Sequence, residues 1–163
     1  MKLKTFMVVV ILSVAVIAQI HAFGLGAQVN FSTGDLLAPG FSVVVSPTDI
    51  THLAVNWYLD FEKVNIVGLT FDACPLALPL NSSSAVLFNF TLGVGIFANI
   101  VFVSDTGVTG GLRIPVGFNV LLGQKAFEIY AHVAPSFGVN FLPSLEFSKP
   151  FYPIAVGARL WFR

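Results

Sequence analysis

From Phe127 to Phe141 the chain alternates between two kinds of side chain. The odd positions are Phe127, Ile129, Ala131, Val133, Pro135, Phe137, Val139 and Phe141; the even ones are Glu128, Tyr130, His132, Ala134, Ser136, Gly138 and Asn140. A period of two predicts an extended strand, because successive side chains leave opposite faces of the backbone. Strands of water-soluble domains are mostly about 5–6 residues long. One uniformly apolar face, set against a face carrying Glu, His, Asn and Gly, is the pattern of a transmembrane barrel strand.

The same alternation predicts seven further strands. Strand one, Phe23–Phe31, sets Phe23, Leu25, Ala27, Val29 and Phe31 against Gly24, Gly26, Gln28 and Asn30. A short second strand covers Phe41–Ser46, and a third, His52–Asp60, opposes Leu53, Val55, Trp57 and Leu59 to His52, Ala54, Asn56, Tyr58 and Asp60. The fourth is Val64–Ala73, the fifth Leu87–Val103 and the sixth Leu112–Leu122; Phe127–Phe141 is the seventh and Tyr152–Phe162 the eighth. Ser32-Thr-Gly-Asp, Ser46-Pro-Thr-Asp, Asp105-Thr-Gly, Gly123-Gln and Leu142-Pro-Ser supply turn chemistry between them. About 9–11 residues cross a bilayer as a tilted strand, and about eight strands close into a barrel just wide enough for its own side chains. The expected fold is therefore all-β: an eight-stranded antiparallel up-and-down transmembrane barrel, with small glycines letting opposite walls approach.

Hairpin parity tests this layout, since directly opposed residues share a face. A turn at Gly123–Ala126 sets Arg113 opposite Ser136 and Gly117 opposite His132. A turn at Phe61–Lys63 sets Asn56 opposite Gly68 and His52 opposite Asp72. Inward positions meet inward positions in both.

Composition then narrows the class. The chain is 56% apolar and 10% charged, against about 25% charged in an ordinary soluble domain. Lys2 and Lys4 precede an apolar run, Met7–Ala18, interrupted only by Ser13, and the stretch ends at Ile20-His21-Ala22. This reads as a secretory signal peptide cut after Ala22, the run being shorter than the ~20 residues of a membrane helix. Residues 1–22 are thus expected to be removed and 23–163 to form one barrel. No Cys follows the run at the position of a lipoprotein anchor. Beyond residue 22, Gly, Pro, Asn and Ser interrupt every apolar stretch. Such a chain can face lipid only as a closed barrel, which leaves no backbone edge unpaired. Eight basic and eight acidic residues cancel, so no basic field exists to attract nucleic acid.

The inward ionisable positions are His52, Asp60, Asp72, Arg113, Glu128, His132 and Arg159. In a narrow barrel these residues are expected to neutralise one another as a lumen polar network, since an unpaired buried charge costs several kcal/mol. The competing reading is an ion or proton path lined by the same groups. Ala134 and Ser136, the inward residues of strand seven that Arg113 and Arg159 are read to face, are small, so both arginines are expected to draw a carboxylate from Asp60 or Asp72. Glu128, His132 and Ser136 imitate a hydrolase triad, but four residues along a strand span about 13 Å, beyond the contact a triad requires. Gly93-Val-Gly95-Ile-Phe-Ala98 imitates a dinucleotide fingerprint, yet it lies inside a strand rather than at a helix start. Cys74 is the one cysteine and belongs to no set of metal ligands. No cofactor, metal or catalytic residue is expected, and the chain is read as a non-enzyme.

The C-terminal strand, with Ile154, Val156, Ala158, Leu160 and Phe162, resembles the alternating, aromatic-terminated signal that barrel-assembly machinery reads, although Arg163 follows the aromatic. The overall plan resembles the eight-stranded OmpA/OmpX-type barrels. The phrases His52-Leu-Ala-Val-Asn-Trp-Tyr-Leu59, Gly111-Leu-Arg-Ile-Pro-Val-Gly117 and Ala134-Pro-Ser-Phe-Gly-Val-Asn-Phe-Leu-Pro143 are similar to a family of small, functionally uncharacterised spirochaete outer-membrane barrels. The resemblance covers the chain from about Phe23. It implies a fold and an outer-membrane address, with lipid and the assembly machinery as partners and a host or surface ligand unspecified. It assigns no functional residues. The expected role is structural or surface interaction; the alternative is a narrow pore or a carrier for small or hydrophobic solutes. One feature departs from the plan: the connection Cys74–Ala85 is long on the side where turns are normally short. Either the strand ends lie elsewhere or the barrel binds through its wall and rims.

Overall fold

The computed structural model describes residues 22–33, 39–59, 65–81, 85–102 and 106–162. Residues 1–21 of the expected leader and Asp60 lie outside the described residues, as do the turn at Phe61–Lys63 and Arg163. Eleven strands are present: β1 (Phe23–Thr33), β2 (Gly40–Thr48), β3 (Thr51–Leu59), β4 (Asn65–Pro79), β5 (Val86–Phe102), β6 (Gly107–Arg113), β7 (Val116–Leu122), β8 (Phe127–Val133), β9 (Ser136–Leu142), β10 (Glu146–Phe147) and β11 (Tyr152–Phe162). Every pairing is antiparallel. β1 to β5 pair in chain order; β5 pairs with both β6 and β7, which pair with β9 and β8; β8 pairs with β11, and β11 returns to β1. The result is a closed barrel of eight wall strands, because β6–β7, β8–β9 and β10–β11 are each one strand interrupted.

Proline explains two of the interruptions. Pro115 and Pro135 have no N–H to give the ladder. Their carbonyls still accept, from Gly93 N (2.9 Å) and Ile114 N (2.9 Å) respectively, and Ala134 N reaches Pro153 O at 2.8 Å. The wall therefore stays continuous across the breaks.

The register matches the hairpin parity: Asn56 opposes Gly68, His52 opposes Asp72, Gly117 opposes His132, and Arg113 opposes Ser136. Several strand ends differ from the sequence reading. β2 is longer, β6 starts earlier at Gly107, and β4 continues to Pro79. The β4 extension follows a bulge between Ala73 and Leu76, where one extra residue shifts the alternation so that Leu76 and Leu78 face outward beyond it. Only residues 80–85 then connect β4 to β5. The long connection was thus a matter of misplaced strand ends.

The wall is inverted relative to a soluble barrel. Outward Val94 and Leu112 are 64% and 65% exposed, and Leu25, Val43, Leu69, Ile96, Phe137 and Val156 are exposed beside them. Within β1–β9 and β11 the charged residues are Asp72, Arg113, Glu128 and Arg159, and all four are buried inside. An apolar belt of this extent, free of charge, is a surface made for lipid. Outward aromatics pair along it: Phe23 with Phe162, Phe41 with Trp57, and Phe118 with both Phe88 and Phe90. Val94→Arg, at the middle of β5, is expected to cost about 2–4 kcal/mol in lipid vesicles. Equilibrium urea unfolding measures it, and a cost near zero would place this face in water.

Candidate functional site: the closed lumen

Among the described residues, most inward polar side chains gather into three connected groups. The first crosses β8, β1, β2 and β3: Tyr130 Oη donates to Gln28 Oε1 at 2.9 Å, and Gln28 Nε2 to Asn30 Oδ1 at 2.8 Å. Asn30 Nδ2 donates to Ser42 Oγ, which donates to Asn56 Oδ1 at 2.7 Å. These amides and hydroxyls come into reach because their strands present them at the same height, on the one face that is not apolar.

The second group is centred on Glu128, which is 1% exposed. Its Oε1 accepts from Arg159 Nη2 and from Asn119 Nδ2, both at 2.8 Å, and its Oε2 accepts from Trp161 Nε1 at 2.7 Å. Asn119 in turn accepts from Asn89 at 2.9 Å. Arg159 Nη1 donates to Ser46 Oγ at 2.8 Å and also to His52 Nδ1. A guanidinium can only donate, so this nitrogen of His52 is the unprotonated one. The Arg159 guanidinium also lies 4.3 Å above the Tyr130 ring, a cation–π contact.

The third group joins Asp72 to Arg113 across an intervening strand. Arg113 Nε lies 3.1 Å from Asp72 Oδ1 as an ion pair, with its N–H not aligned for a hydrogen bond. Arg113 Nη2 lies 3.3 Å from His132 Nε2. Between the two charges, in register with both, sits Gly95. A Cβ there would come within 2.0 Å of Asp72 Oδ1. Glycine here clears a passage across β5 between the two strands that flank it, rather than bringing opposite walls together.

Of the seven inward ionisable residues, the structure brings six into these groups, and Asp60 lies outside the described residues. One arginine partner differs from expectation. Arg159 takes Glu128, its directly paired neighbour on β8, and only Arg113 draws on Asp72. The sequence reading set Arg159 too far along strand seven, opposite Ala134 and Ser136. It also passed over Phe97, an inward residue by parity. Phe97 is buried with Tyr58 and Ile66 and meets the Phe151 ring edge-on at 5.1 Å. These side chains lie toward the end of the barrel away from the chain termini. Toward the terminal end remains a cavity of about 270 Å³, lined by Asp49, Ile50, Lys125, His52, Asn89 and Glu128 among others.

Glu128, His132 and Ser136 do not come together as a triad. Glu128 is engaged by Arg159, Asn119 and Trp161; His132 faces Arg113; and Ser136 donates to the Ala134 carbonyl at 2.8 Å. A different Ser–His contact does form, Ser46 Oγ to His52 Nδ1 at 2.9 Å. The same nitrogen receives the Arg159 guanidinium, and Ser46 is fully buried, so this serine is not open to a substrate. Among the described residues, no group of three or more His, Cys, Asp or Glu is placed to hold a metal.

No protein-family model and no curated protein matches the chain. Two solved structures are similar in fold. The N-terminal β-barrel domain of Pseudomonas aeruginosa OprF aligns over 86% of this chain and 97% of that one, with TM-score 0.53 and 13% identity. Neisserial surface protein A aligns over 86% of this chain and 96% of its own, with TM-score 0.47 and 13% identity. The fold is that of a small outer-membrane-type barrel.

Glu128→Gln is expected to cost about 3–5 kcal/mol in unfolding free energy, because Arg159 is left as a buried charge without its partner. Adding Arg159→Gln should recover part of that loss, a coupling of at least ~1 kcal/mol. The cycle of Arg159→Gln with Asp72→Asn should show a smaller coupling. Equal coupling in the two cycles would refute the pairing.

Proposed function

We propose that the chain is an outer-membrane β-barrel protein with a structural or surface-interaction role, a lumen closed by its own side chains and no catalysis. The observation that carries this reading is the separation of polarity: every charged side chain of β1–β9 and β11 is drawn into mutually paired groups inside, while the outer wall is uncharged. A soluble barrel gains nothing from that arrangement. A membrane barrel needs it, because lipid offers no compensation to an outward charge. The shared fold with the OprF barrel domain supports the same address. The leader sequence fits export through the inner membrane. The alternating end of β11, closing on Phe162, fits recognition by barrel-assembly machinery, with lipid as the standing partner.

A second reading, a narrow pore or a carrier for a small solute, draws on the cavity of about 270 Å³ at the terminal end. Against it stand Phe97, Tyr58, Ile66 and Phe151, which occupy the other end of the lumen.

The mature chain refolded in detergent should migrate differently before and after boiling and give a β-type circular dichroism spectrum. In planar bilayers it should conduct no more than the bare membrane. Sustained conductance steps would favour the pore. A chain that stays soluble without detergent, with no mobility shift, would remove the membrane reading altogether.

A further inference from the structure

The barrel wall is uneven in height. β2 and β3 are 9 residues each, whereas β5 has 17. On the tall side β9 and β10 form a hairpin, with Glu146 opposite Asn140 and Phe147 opposite Val139. Phe147 and Leu145 are 91% and 77% exposed, the two most exposed large apolar side chains among the described residues. Phe141 and Leu142 are exposed next to them. Pairing with Val139 places Phe147 on the outward face, in line with Phe137 and Phe141. The apolar stripe of the wall therefore runs without interruption onto the hairpin.

We propose that the β9–β10 hairpin lies in the interfacial layer of the membrane, with Phe147 and Leu145 inserted among lipid chains just below the headgroups. This inference rests on the outer-membrane reading above and adds a docking surface to it. Two observations fix the occupant and the depth. Continuity with the lipid-facing wall makes lipid the partner that Phe147 meets without any change of surface. The edge of β10 sets the limit on depth. β10 has β9 on one side and, among the described residues, no strand on the other; backbone N–H and C=O groups without a strand partner need water or headgroups rather than the hydrocarbon core. Aromatic side chains suit that layer, where one end of the residue is apolar and its surroundings are wet.

The test uses tryptophan as a depth probe in the full mature chain refolded into phosphatidylcholine vesicles. Trp57→Phe removes the outward native tryptophan, and its spectrum supplies the baseline for Trp161, which stays inside the lumen. Phe147→Trp is then compared with Val94→Trp at mid-wall, using lipids brominated near the headgroup or near the chain terminus. The expected result is stronger quenching of the Phe147→Trp probe by the shallow bromines and of the Val94→Trp probe by the deep ones. If the Val94→Trp probe is quenched by lipid while the Phe147→Trp probe responds only to aqueous iodide, the hairpin stands in water and the proposal falls, with the barrel reading intact. Shielding of the Phe147→Trp probe from both quenchers, relieved when protein is diluted in lipid, would assign the hairpin to a second copy and also overturn it. If neither probe responds to brominated lipid, the membrane reading itself fails.

Discussion

Glu128 is a carboxylate inside a narrow barrel, and much of the interior is arranged around satisfying it. Burying a charge is tolerable only when an opposite charge and hydrogen bonds replace the water it lost. Here Arg159 supplies the charge, while Asn119 and Trp161 supply further donors. Arg159 then passes the constraint onward. Its second nitrogen ties Ser46 and His52 on the far side of β1, and its flat face covers Tyr130, which holds the amide chain through Gln28. The link from β7 to β3 thus runs through a single ion pair. Asp72 and Arg113 add a second tie, across β5.

Such a centre explains the distribution of residues on both faces. The two carboxylates and two guanidinia balance within the lumen, so no strand needs a charge outside. With the outer face relieved of charge, it consists mainly of Leu, Ile, Val, Phe and Ala, with Trp57 and Tyr152 among them. The lumen, in turn, has little free section where the paired groups meet, and the aromatic cluster around Phe97 lies toward the end away from the termini. The cavity of about 270 Å³ lies on the terminal side. The external surface, including the apolar hairpin at β9–β10, is therefore the part with most scope for partners.

Much of this was legible in the chain. The period of two fixes which residues face inward, and hairpin symmetry fixes their partners, so the pairs His52–Asp72 and Gly117–His132 follow from the sequence. Three things were harder to read. The bulge after Ala73 shifts the alternation, which hides the last third of β4 behind apparent loop residues such as Pro75 and Pro79. Val108–Gly111 falls outside the sixth strand as read from sequence, because Gly110 and Gly111 carry no alternation of hydropathy. Contacts between non-neighbouring strands, such as Asp72 to Arg113, depend on barrel curvature and on the clearance at Gly95. A list of faces contains neither. Phe97 was hidden for a related reason: an aromatic on the otherwise small and polar inner face of β5 looks like a fault in the pattern, whereas it is buried against Phe151.

The measurement that bears most directly on this account is a spin-label scan of β5 in lipid vesicles, in a Cys74→Ser background, comparing collision with oxygen and with a water-soluble nickel complex. The account predicts high oxygen and low nickel accessibility at Phe88, Phe90, Leu92, Val94, Ile96, Ala98 and Ile100, with low values for both at Asn89 and Thr91. Nickel accessibility dominating at the first set, or the two sets exchanged, would mean that the apolar face does not meet lipid, and the inverted barrel would be contradicted.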